Sequence, residues 1–352
     1  MRGKFRMLEI DGSEKSGSGT ILRLSVALAS IIGKELHIYN IRKRRSQPGL
    51  RPQHLEAVLT AAKLCDGKLE GATLNSQELW FQPGKIVGGR IEAEIGTAGS
   101  ISMLLLTILP ICTHAEEPVQ VHVMRGGTDV RHAPTINYLK QVFLPVLARM
   151  GVQSSLQVHR YGYYPKGMGE VTLTVHPQSR LLPLRLNELR RSDTLHGISV
   201  CTFLEERRVA DRQAEAALKY LKARGFRADF EVVYDASNSI QRGSSLVLWT
   251  ETDSGTRLGG DAIGAIRKSS EAVGREAAQN ILQELEVGAT VDVHLADMLV
   301  PFVALAGGES VYLTRSITEH LETNIWFAQE ILGTEFAIEK AGRLYRVKCG
   351  GS

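Results

Sequence analysis

The chain is poor in cysteine and has no long apolar run. Its four cysteines, Cys65, Cys112, Cys201 and Cys349, lie far apart and form no CxxC pair, so we expect no zinc knuckle, redox motif or disulfide framework. The most apolar run, 101–112, is shorter than the about 20 residues of a membrane-spanning helix. These features predict a cytoplasmic protein that is neither exported nor inserted into a membrane.

The chain also has little net excess of positive over negative charge. The formal net charge is +4 over 352 residues, which excludes a strong overall field but not a local basic cluster that binds a polyanion. The chain is 43% hydrophobic and 23% charged, proportions typical of a globular protein, and it is long enough for two or more domains.

Three segments follow one plan, in which an amphipathic helix ends at a glycine and a strand, a turn and a strand follow. The glycines are Gly67, Gly151 and Gly333, and the second interval is more than twice as long as the first. We therefore expect an α+β main domain of repeated units, 1–183 and 282–352, interrupted by a small α/β domain at 184–281. Strands are predicted at 119–123, 171–175, 197–203, 228–234 and 244–251, and helices at 210–223, 270–285 and 324–332.

The loop 11–23 joins a donor-rich, glycine-rich segment to an apolar helix. Gly17 permits unusual backbone conformations, and Ser18 supplies a hydroxyl at the helix mouth. A helix N-terminus favours anions, which indicates a phosphate site. An ordinary strand-to-helix turn collects the same residues, and the loop matches neither the Walker nor the dinucleotide pattern, so both interpretations stay open.

A basic run at 42–54 holds five cationic side chains between prolines and a glycine, directly before a predicted helix. Arginine offers a planar donor fork for phosphate oxygens, and proline lowers the entropy cost of presenting it. The alternative is a solvated basic loop. The small-residue loop 96–100 precedes a helix, where small residues more often permit close helix packing than ligand contact. The loop 126–129 also precedes a helix and is read equally well as a turn.

Two histidines precede helices near the C-terminus. His320, at the start of the last predicted helix, has the chemistry of an acid, a base or a nucleophile, and imidazole attack on a phosphoryl group conserves transfer potential in a phosphoramidate. His294 is a rival, although its place before an apolar helix also suits a structural residue.

Taken in order, these segments resemble the RNA 3'-terminal phosphate cyclases from about residue 7 to residue 345. The run 42–54 matches the family block Ile-Arg-x-x-Arg-x-x-Pro-Gly-Leu-x-x-Gln-His, and 96–100, 126–129, 295–297 and the His320 segment fall at the expected positions. The resemblance implies three repeats similar to the C-terminal domain of a bacterial translation initiation factor, plus a small inserted α/β domain.

The resemblance also implies ATP as cofactor and an RNA with a 3'-terminal phosphate as partner. It makes His320 the nucleophile that attacks the α-phosphate, carries AMP and passes it to the RNA, whose 2'-hydroxyl then closes a 2',3'-cyclic phosphate. Further roles are implied for phosphate or RNA binding, by Arg23, Arg42, Arg45 and Gln53, and for nucleotide binding, by Gly17, Ser18, Pro134, His294 and Asp297.

The opening loop departs from the family pattern. Relatives carry Gly-Glu-Gly-Gly-Gly-Gln, with the glutamate as a metal ligand, where this chain has 15–20, Lys-Ser-Gly-Ser-Gly-Thr. The family implies a divalent ion, Mg or Mn, yet its carboxylate is missing. Either Glu14 reaches in, or Lys15 and the arginines replace part of the ion's charge, or ATP and water hold the metal.

Two other functions remain open from the sequence. One is an adenylyltransferase with a changed acceptor, such as a 5'-phosphate or a small molecule. The other is an RNA-binding scaffold of the ribosome-assembly branch of the family, which lacks the nucleophile. An enolpyruvyl transferase is a weaker option, against which the His320 segment argues. The sequence predicts no oligomeric state.

Overall fold

The protein is described here from a computed structural model that covers residues 7–190, 194–252 and 255–350. The fold is α+β, as predicted, and its sheets mix parallel and antiparallel pairs. No helix in the described part of the chain is long and apolar enough to cross a membrane. All four cysteines are buried free thiols, as their spacing predicts.

The first sheet has the order β1-β2-β4-β3, with a parallel β1–β2 pair and antiparallel pairs thereafter. Two helices cover it. Ser18 caps the first helix through its hydroxyl, and Gly33 ends the helix in a left-handed conformation. The elements are β1 (Leu8–Asp11), α1 (Gly19–Ile32), β2 (Leu36–Tyr39), α2 (Pro52–Leu64), β3 (Lys68–Glu70) and β4 (Leu79–Gln82).

The second sheet repeats this plan, with the order β5-β6-β8-β7 and the same pattern of one parallel and two antiparallel pairs. The predicted strands at 119–123 and 171–175 are confirmed within β6 and β8. The elements are β5 (Gly89–Glu94), α3 (Ile101–Cys112), β6 (Val119–Gly126), α4 (Ile136–Tyr138), a π-helical turn (Leu139–Phe143), α5 (Leu144–Arg149), β7 (Gln153–Arg160) and β8 (Gly169–His176).

The third sheet has the order β13-β15-β14, and the segment 184–186 runs parallel to β13 on its other side. Leu186 N donates to Val311 O at 2.8 Å, and Val311 N donates to Leu184 O at 2.7 Å. This segment thus takes the place that β1 and β5 have in the other sheets. The elements are α8 (Val293–Leu305), β13 (Ser310–Thr314), α9 (Glu319–Leu332), β14 (Phe336–Ala341) and β15 (Leu344–Cys349).

A fourth sheet, β10-β9-β11-β12, lies in the chain between 186 and α8. Its strands and first helix confirm the predictions for this stretch, and the predicted helix at 270–285 also packs on this sheet. We call these elements the β9–β12 unit: β9 (Thr194–Thr202), α6 (Val209–Lys222), β10 (Arg227–Asp235), β11 (Gly243–Glu251), β12 (Arg257–Ile263) and α7 (Ser270–Val287).

The main core lies between the sheets and the helices α1, α2, α3, α8 and α9. Within it α1 packs against α9 and α3, and α8 packs against α9. These contacts bring helix N-termini from distant parts of the sequence to one side of the molecule. The last helix starts earlier than predicted, at Glu319 rather than at 324, because Thr318 caps it.

Candidate functional site

The site is built at the N-termini of α1 and α9. Ser18 caps α1 and Thr318 caps α9, each by accepting a backbone N–H. Thr20 and His320 lie in the first turns of these two helices, and Thr20 Oγ1 is 3.4 Å from His320 Nδ1. His320 is solvent-exposed. The packing of α1 on α9 therefore presents an open imidazole between two helix N-termini, where anions bind.

Arg23 stands one helical turn beyond Thr20 and donates from Nη2 to Thr20 Oγ1 at 3.2 Å. Burial, together with the charge of Arg42, lowers its pKa to about 10. Among the residues that the structure describes, no carboxylate forms an ion pair with it. A partly buried guanidinium without a counter-ion is suited to receive an anionic ligand.

The surroundings of His320 keep its imidazole neutral. Partial burial lowers the pKa of His320, and the positive charges of Arg23 and Arg45 lower it further. The neutral ring has a lone pair on one nitrogen, so this environment favours nucleophilic attack over proton storage.

His54 is a site residue that the sequence reasoning did not single out. It is 5% exposed and fills the space beside Gly19, where an added Cβ would lie 2.2 Å from its Nε2. Its Nδ1 is buried and has no hydrogen-bond partner among the residues that the structure describes. Burial, followed by the charges of Arg23, Arg42 and Arg51, lowers the pKa of His54 to about 2. Its place at the end of the basic run was the available signal.

The basic run forms a tight loop. Arg42 has a left-handed backbone, φ 55°, and its Nη1 donates to the carbonyls of Gln47 and Gly49 at 2.8 and 2.9 Å. It braces the loop from within. Arg45 is exposed, and its charge reaches His320. Of these two predicted phosphate ligands, Arg45 is thus the more available.

Gln53 makes its hydrogen bond at the start of α3. Its Oε1 accepts the backbone N–H of Ser100 at 2.7 Å, and Ser100 is the N-cap of α3. The side chain therefore ties the start of α2 to the start of α3. This contact places the N-termini of α2 and α3 next to each other.

The opening loop is buried against α9. Gly17 is left-handed, with φ 54°, and an added Cβ would lie 2.8 Å from Arg44 Cδ. Ser16 N donates to Thr323 Oγ1 at 3.4 Å, and Lys15 Nζ lies 5.2 Å from the ring centre of Trp326. The loop that precedes α1 is therefore fixed to the helix that carries His320.

The described residues do not fit a metal ion held by the protein. No group of three His, Cys, Asp or Glu side chains in 7–190, 194–252 and 255–350 is placed to hold one. Glu14 is exposed and belongs to no such group. The cationic side chains Arg23 and Arg45 dominate the charge around His320 instead.

Asp297 and His294 lie on α8, close to the N-terminus of α9 that carries His320. Asp297 is 9% exposed, accepts Thr318 Oγ1–H at 2.6 Å and links α8 to the N-cap of α9. Burial raises its pKa to about 7. His294 is exposed in the first turn of α8, and its charge affects the pKa of both Asp297 and His320. The structure thus brings these three predicted residues together.

Pro134 is half-buried and precedes Thr135, the N-cap of α4. The backbone N–H of Thr135 donates to Asp261 Oδ2 at 2.8 Å. Asp261 belongs to β12. Burial raises the pKa of Asp261, and the charge of His294 acts in the opposite direction by a smaller amount. Asp261 therefore lies close both to the segment with Pro134 and to His294.

An open, neutral histidine among arginines and helix N-termini defines an α+β protein that handles a phosphate-bearing ligand. The family model for RNA 3'-terminal phosphate cyclase matches residues 14–338. The chain belongs to this family.

Curated relatives described as RNA 3'-terminal phosphate cyclase match nearly the whole chain. The protein of Pyrobaculum neutrophilum is 41% identical over 345 residues, 98% of each chain. Those of Methanopyrus kandleri and Pyrococcus furiosus are 41% and 42% identical, over 93% and 95% of each chain. A solved enolpyruvyl transferase, NikO from Streptomyces tendae, covers 97% of this chain and 50% of its own at 13% identity with a TM-score of 0.25, too low to support an argument.

Proposed function

We propose that this protein converts an RNA 3'-terminal phosphate to a 2',3'-cyclic phosphate at the expense of ATP, through AMP bound covalently to His320. The observation that carries the proposal is the exposed imidazole of His320, 3.4 Å from Thr20 and beside Arg23, which has no ion-pair partner among the described residues. Family membership supplies the substrates. The geometry supports His320 as the nucleophile and the arginines as the cations that the chemistry needs.

In the first step, His320 attacks the α-phosphorus of ATP. One N–P bond forms, the P–O bond to the β-phosphate breaks, and pyrophosphate leaves. If Nδ1–H donates to Thr20 Oγ1, the lone pair lies on Nε2, which becomes the attacking atom. The lowered pKa of His320 keeps this lone pair unprotonated near neutral pH.

In the second step, an oxygen of the RNA 3'-phosphate attacks the phosphorus of the histidine adduct, and the N–P bond breaks to free the imidazole. The RNA now ends in a phosphoanhydride to AMP. The vicinal 2'-hydroxyl then attacks the 3'-phosphorus, its proton passes to solvent, and AMP leaves. The neighbouring hydroxyl is already in position, so the last step is favoured by proximity.

Charge that develops on the phosphates is met by Arg23, by Arg45 and by backbone amides at the start of α1, around Gly17 and Ser18. These donors are in place before the ligand arrives, so little reorganisation is needed. The described residues do not fit a protein-held metal, so we route no step through one. Arg42 and Gln53 act by holding the loop and the helix starts.

The base of ATP is assigned to the space between Pro134 and His294, with the imidazole as a flat surface for stacking. Asp297 lies one turn further along α8 from His294 and is buried. Its pKa of about 7 allows it to bond the nucleotide as donor or acceptor.

The test is adduct formation with α-labelled ATP, a divalent ion and the purified protein. We expect an acid-labile protein adduct that is lost in His320→Ala and retained in His176→Ala, a matched change at an exposed histidine at the end of β8. No adduct in the wild type would reject the enzyme and favour the RNA-binding scaffold. RNAs ending in 3'-, 2'- or 5'-phosphate then identify the acceptor and test the alternative adenylyltransferase.

We also propose that the first three sheets are repeats of one initiation-factor-like unit and that the β9–β12 unit is a domain inserted into the third. The shared strand order of the first two sheets and the parallel segment 184–186 beside β13 support this division. On this division the insertion starts at 187, three residues beyond the start at 184 predicted from the glycine spacing. Limited proteolysis should release a resistant fragment that begins after 186 and ends before α8.

A further inference from the structure

Strand β12 of the β9–β12 unit contacts both sides of the space assigned to the base of ATP. It is the last strand in the order β10-β9-β11-β12, so only one of its edges is paired within the sheet. Gly259 and Asp261 are two residues apart on β12, so both positions lie on the same face of the strand. Each contacts a different segment of the three-sheet part of the protein.

Asp261 holds the segment that contains Pro134. Its Oδ2 accepts the backbone N–H of Thr135 at 2.8 Å. That N–H begins the short helix α4, and in the first turn of a helix such groups have no partner within the helix. The carboxylate therefore fixes the backbone directly after Pro134.

Gly259 holds the segment that contains His294. Its N–H donates to Asp292 Oδ2 at 2.9 Å. Asp292 is the N-cap of α8, and its Oδ1 accepts the N–H groups of His294 and Leu295 at 3.0 and 2.9 Å. The strand thus reaches both walls of the same subsite, through one hydrogen bond to each.

Close approach of this strand is built into the sequence. An added Cβ on Gly259 would lie 2.5 Å from Tyr138 Cε2, and Tyr138 OH donates to both oxygens of Asp292 at 2.7 Å. A residue larger than glycine would separate β12 from the tyrosine and from Asp292. The spacing of the walls is therefore tied to the position of β12.

We propose that Asp261 is a positioning residue for the nucleotide, which sets the Pro134 wall against His294 and so governs how well the protein binds the base of ATP. The inference rests on the proposed function. Without the carboxylate the Thr135 N–H loses its acceptor, and the backbone after Pro134 is held against His294 by fewer bonds, those of the Ile136 N–H to Thr128 O and Asp129 Oδ1. Contacts to the phosphates, which come from α1, α9 and the basic run, stay as they are.

The experiment measures pyrophosphate release in a single turnover of the full-length protein, with ATP and with ribose 5'-triphosphate, which has no base. For Asp261→Ala we expect the ATP concentration at half-maximal rate to rise about tenfold, the size of one lost hydrogen bond, with a saturating rate within about threefold of wild type. The half-maximal concentration for ribose 5'-triphosphate should stay within about twofold, because the base-free ligand does not use the walls.

Two further variants separate positioning from simple stability. Asp261→Asn keeps an oxygen that can accept the Thr135 N–H, so it should restore most of the ATP affinity. Arg257→Ala is the matched control, since Arg257 also lies on β12 and its Nη1 donates to Gln141 O at 2.7 Å, away from Pro134 and His294. It should leave both half-maximal concentrations near wild type. If Asp261→Ala does not fold, Asp261→Val, which suits a strand and has no acceptor, carries the same expectation.

Each outcome bears on one proposal. Equal defects with ATP and ribose 5'-triphosphate, an Arg257→Ala defect as large as that of Asp261→Ala, or no recovery in Asp261→Asn would overturn the positioning role. Absence of pyrophosphate release from the wild type would instead overturn the proposed function, and the two failures are therefore distinguishable.

Discussion

Arg23 is expected to lower the stability of the ligand-free protein. It is partly buried, its one hydrogen bond to a described residue runs to Thr20 Oγ1 at 3.2 Å, and it lacks an ion-pair partner within the described residues. Replacing it with methionine keeps most of the side-chain length and removes the charge. We therefore expect Arg23→Met to unfold at a higher urea concentration than the wild type.

The magnitude follows from the pKa of Arg23. Burial, then the charge of Arg42, lowers it from 12.5 to about 10, which corresponds to about 3 kcal/mol at about 1.4 kcal/mol for each pKa unit. At neutral pH the guanidinium is charged in both the folded and the unfolded chain, so this free energy opposes folding. Solvent screening of a partly buried group and the lost hydrogen bond, about 1 kcal/mol, reduce the expected gain to about 1–2 kcal/mol.

The assay is urea unfolding with and without inorganic tripolyphosphate, combined with adduct formation from α-labelled ATP. Tripolyphosphate should stabilise the wild type more than Arg23→Met, and the variant should form the adduct at least about a hundredfold more slowly, as when a transition-state donor is removed. Arg44→Met removes an exposed arginine that donates to Lys15 O, and its stability should change by less than about 0.5 kcal/mol. A ligand-free Arg23→Met that is less stable than the wild type would refute the reasoning.

Two other predictions concern the site around His320. Because Arg45 helps to lower the pKa of His320, the rate of adduct formation at saturating ATP should fall as pH drops through a value below 6.5; Arg45→Gln should move this fall to higher pH, and Arg44→Gln, the control, should not. Gly19→Ala places a Cβ 2.2 Å from His54 Nε2 and 2.9 Å from Arg23 Nη1, so it should cost about 1–3 kcal/mol in urea unfolding and abolish adduct formation. Gly33→Ala, where φ is 65° and the added Cβ meets no atom of a non-neighbouring described residue within 4 Å, should cost about 1 kcal/mol of backbone strain and keep the adduct; equal losses of activity in both variants would contradict the steric account.

Local signals in the sequence predicted most elements around the site, although the start of α9 was predicted five residues too late. Ser18 is a capping residue directly before an apolar periodic segment, and it caps α1. Capping, turns and amphipathic periodicity act between residues a few positions apart. The extra segment, where the β9–β12 unit lies, was predicted instead from the interval between distant glycines.

Contacts between distant segments could not be predicted in this way. Asp292 and Asp261 look like ordinary acidic residues beside apolar stretches, yet Asp292 accepts bonds from Tyr138 and Gly259, and Asp261 accepts one from Thr135. The role of His54 depends on the absent side chain of Gly19. Such roles arise only when α1, α2, α4 and β12 pack together, because no local pattern encodes which partners meet.

The opening loop shows how a departure from the family pattern is accommodated. Lys15, Ser16 and Gly17 stand where the family resemblance implies a metal-binding glutamate among glycines. Here Lys15 lies over Trp326 and Ser16 N–H donates to Thr323, both on α9, while the exposed Glu14 belongs to no cluster of metal ligands among the described residues. The substituted residues therefore fix the loop to the helix that carries His320. In the proposed function, arginines and helix amides meet the phosphate charge at this end of the site, so a change at Lys15 is expected to act through the position of α9 as well as through its charge.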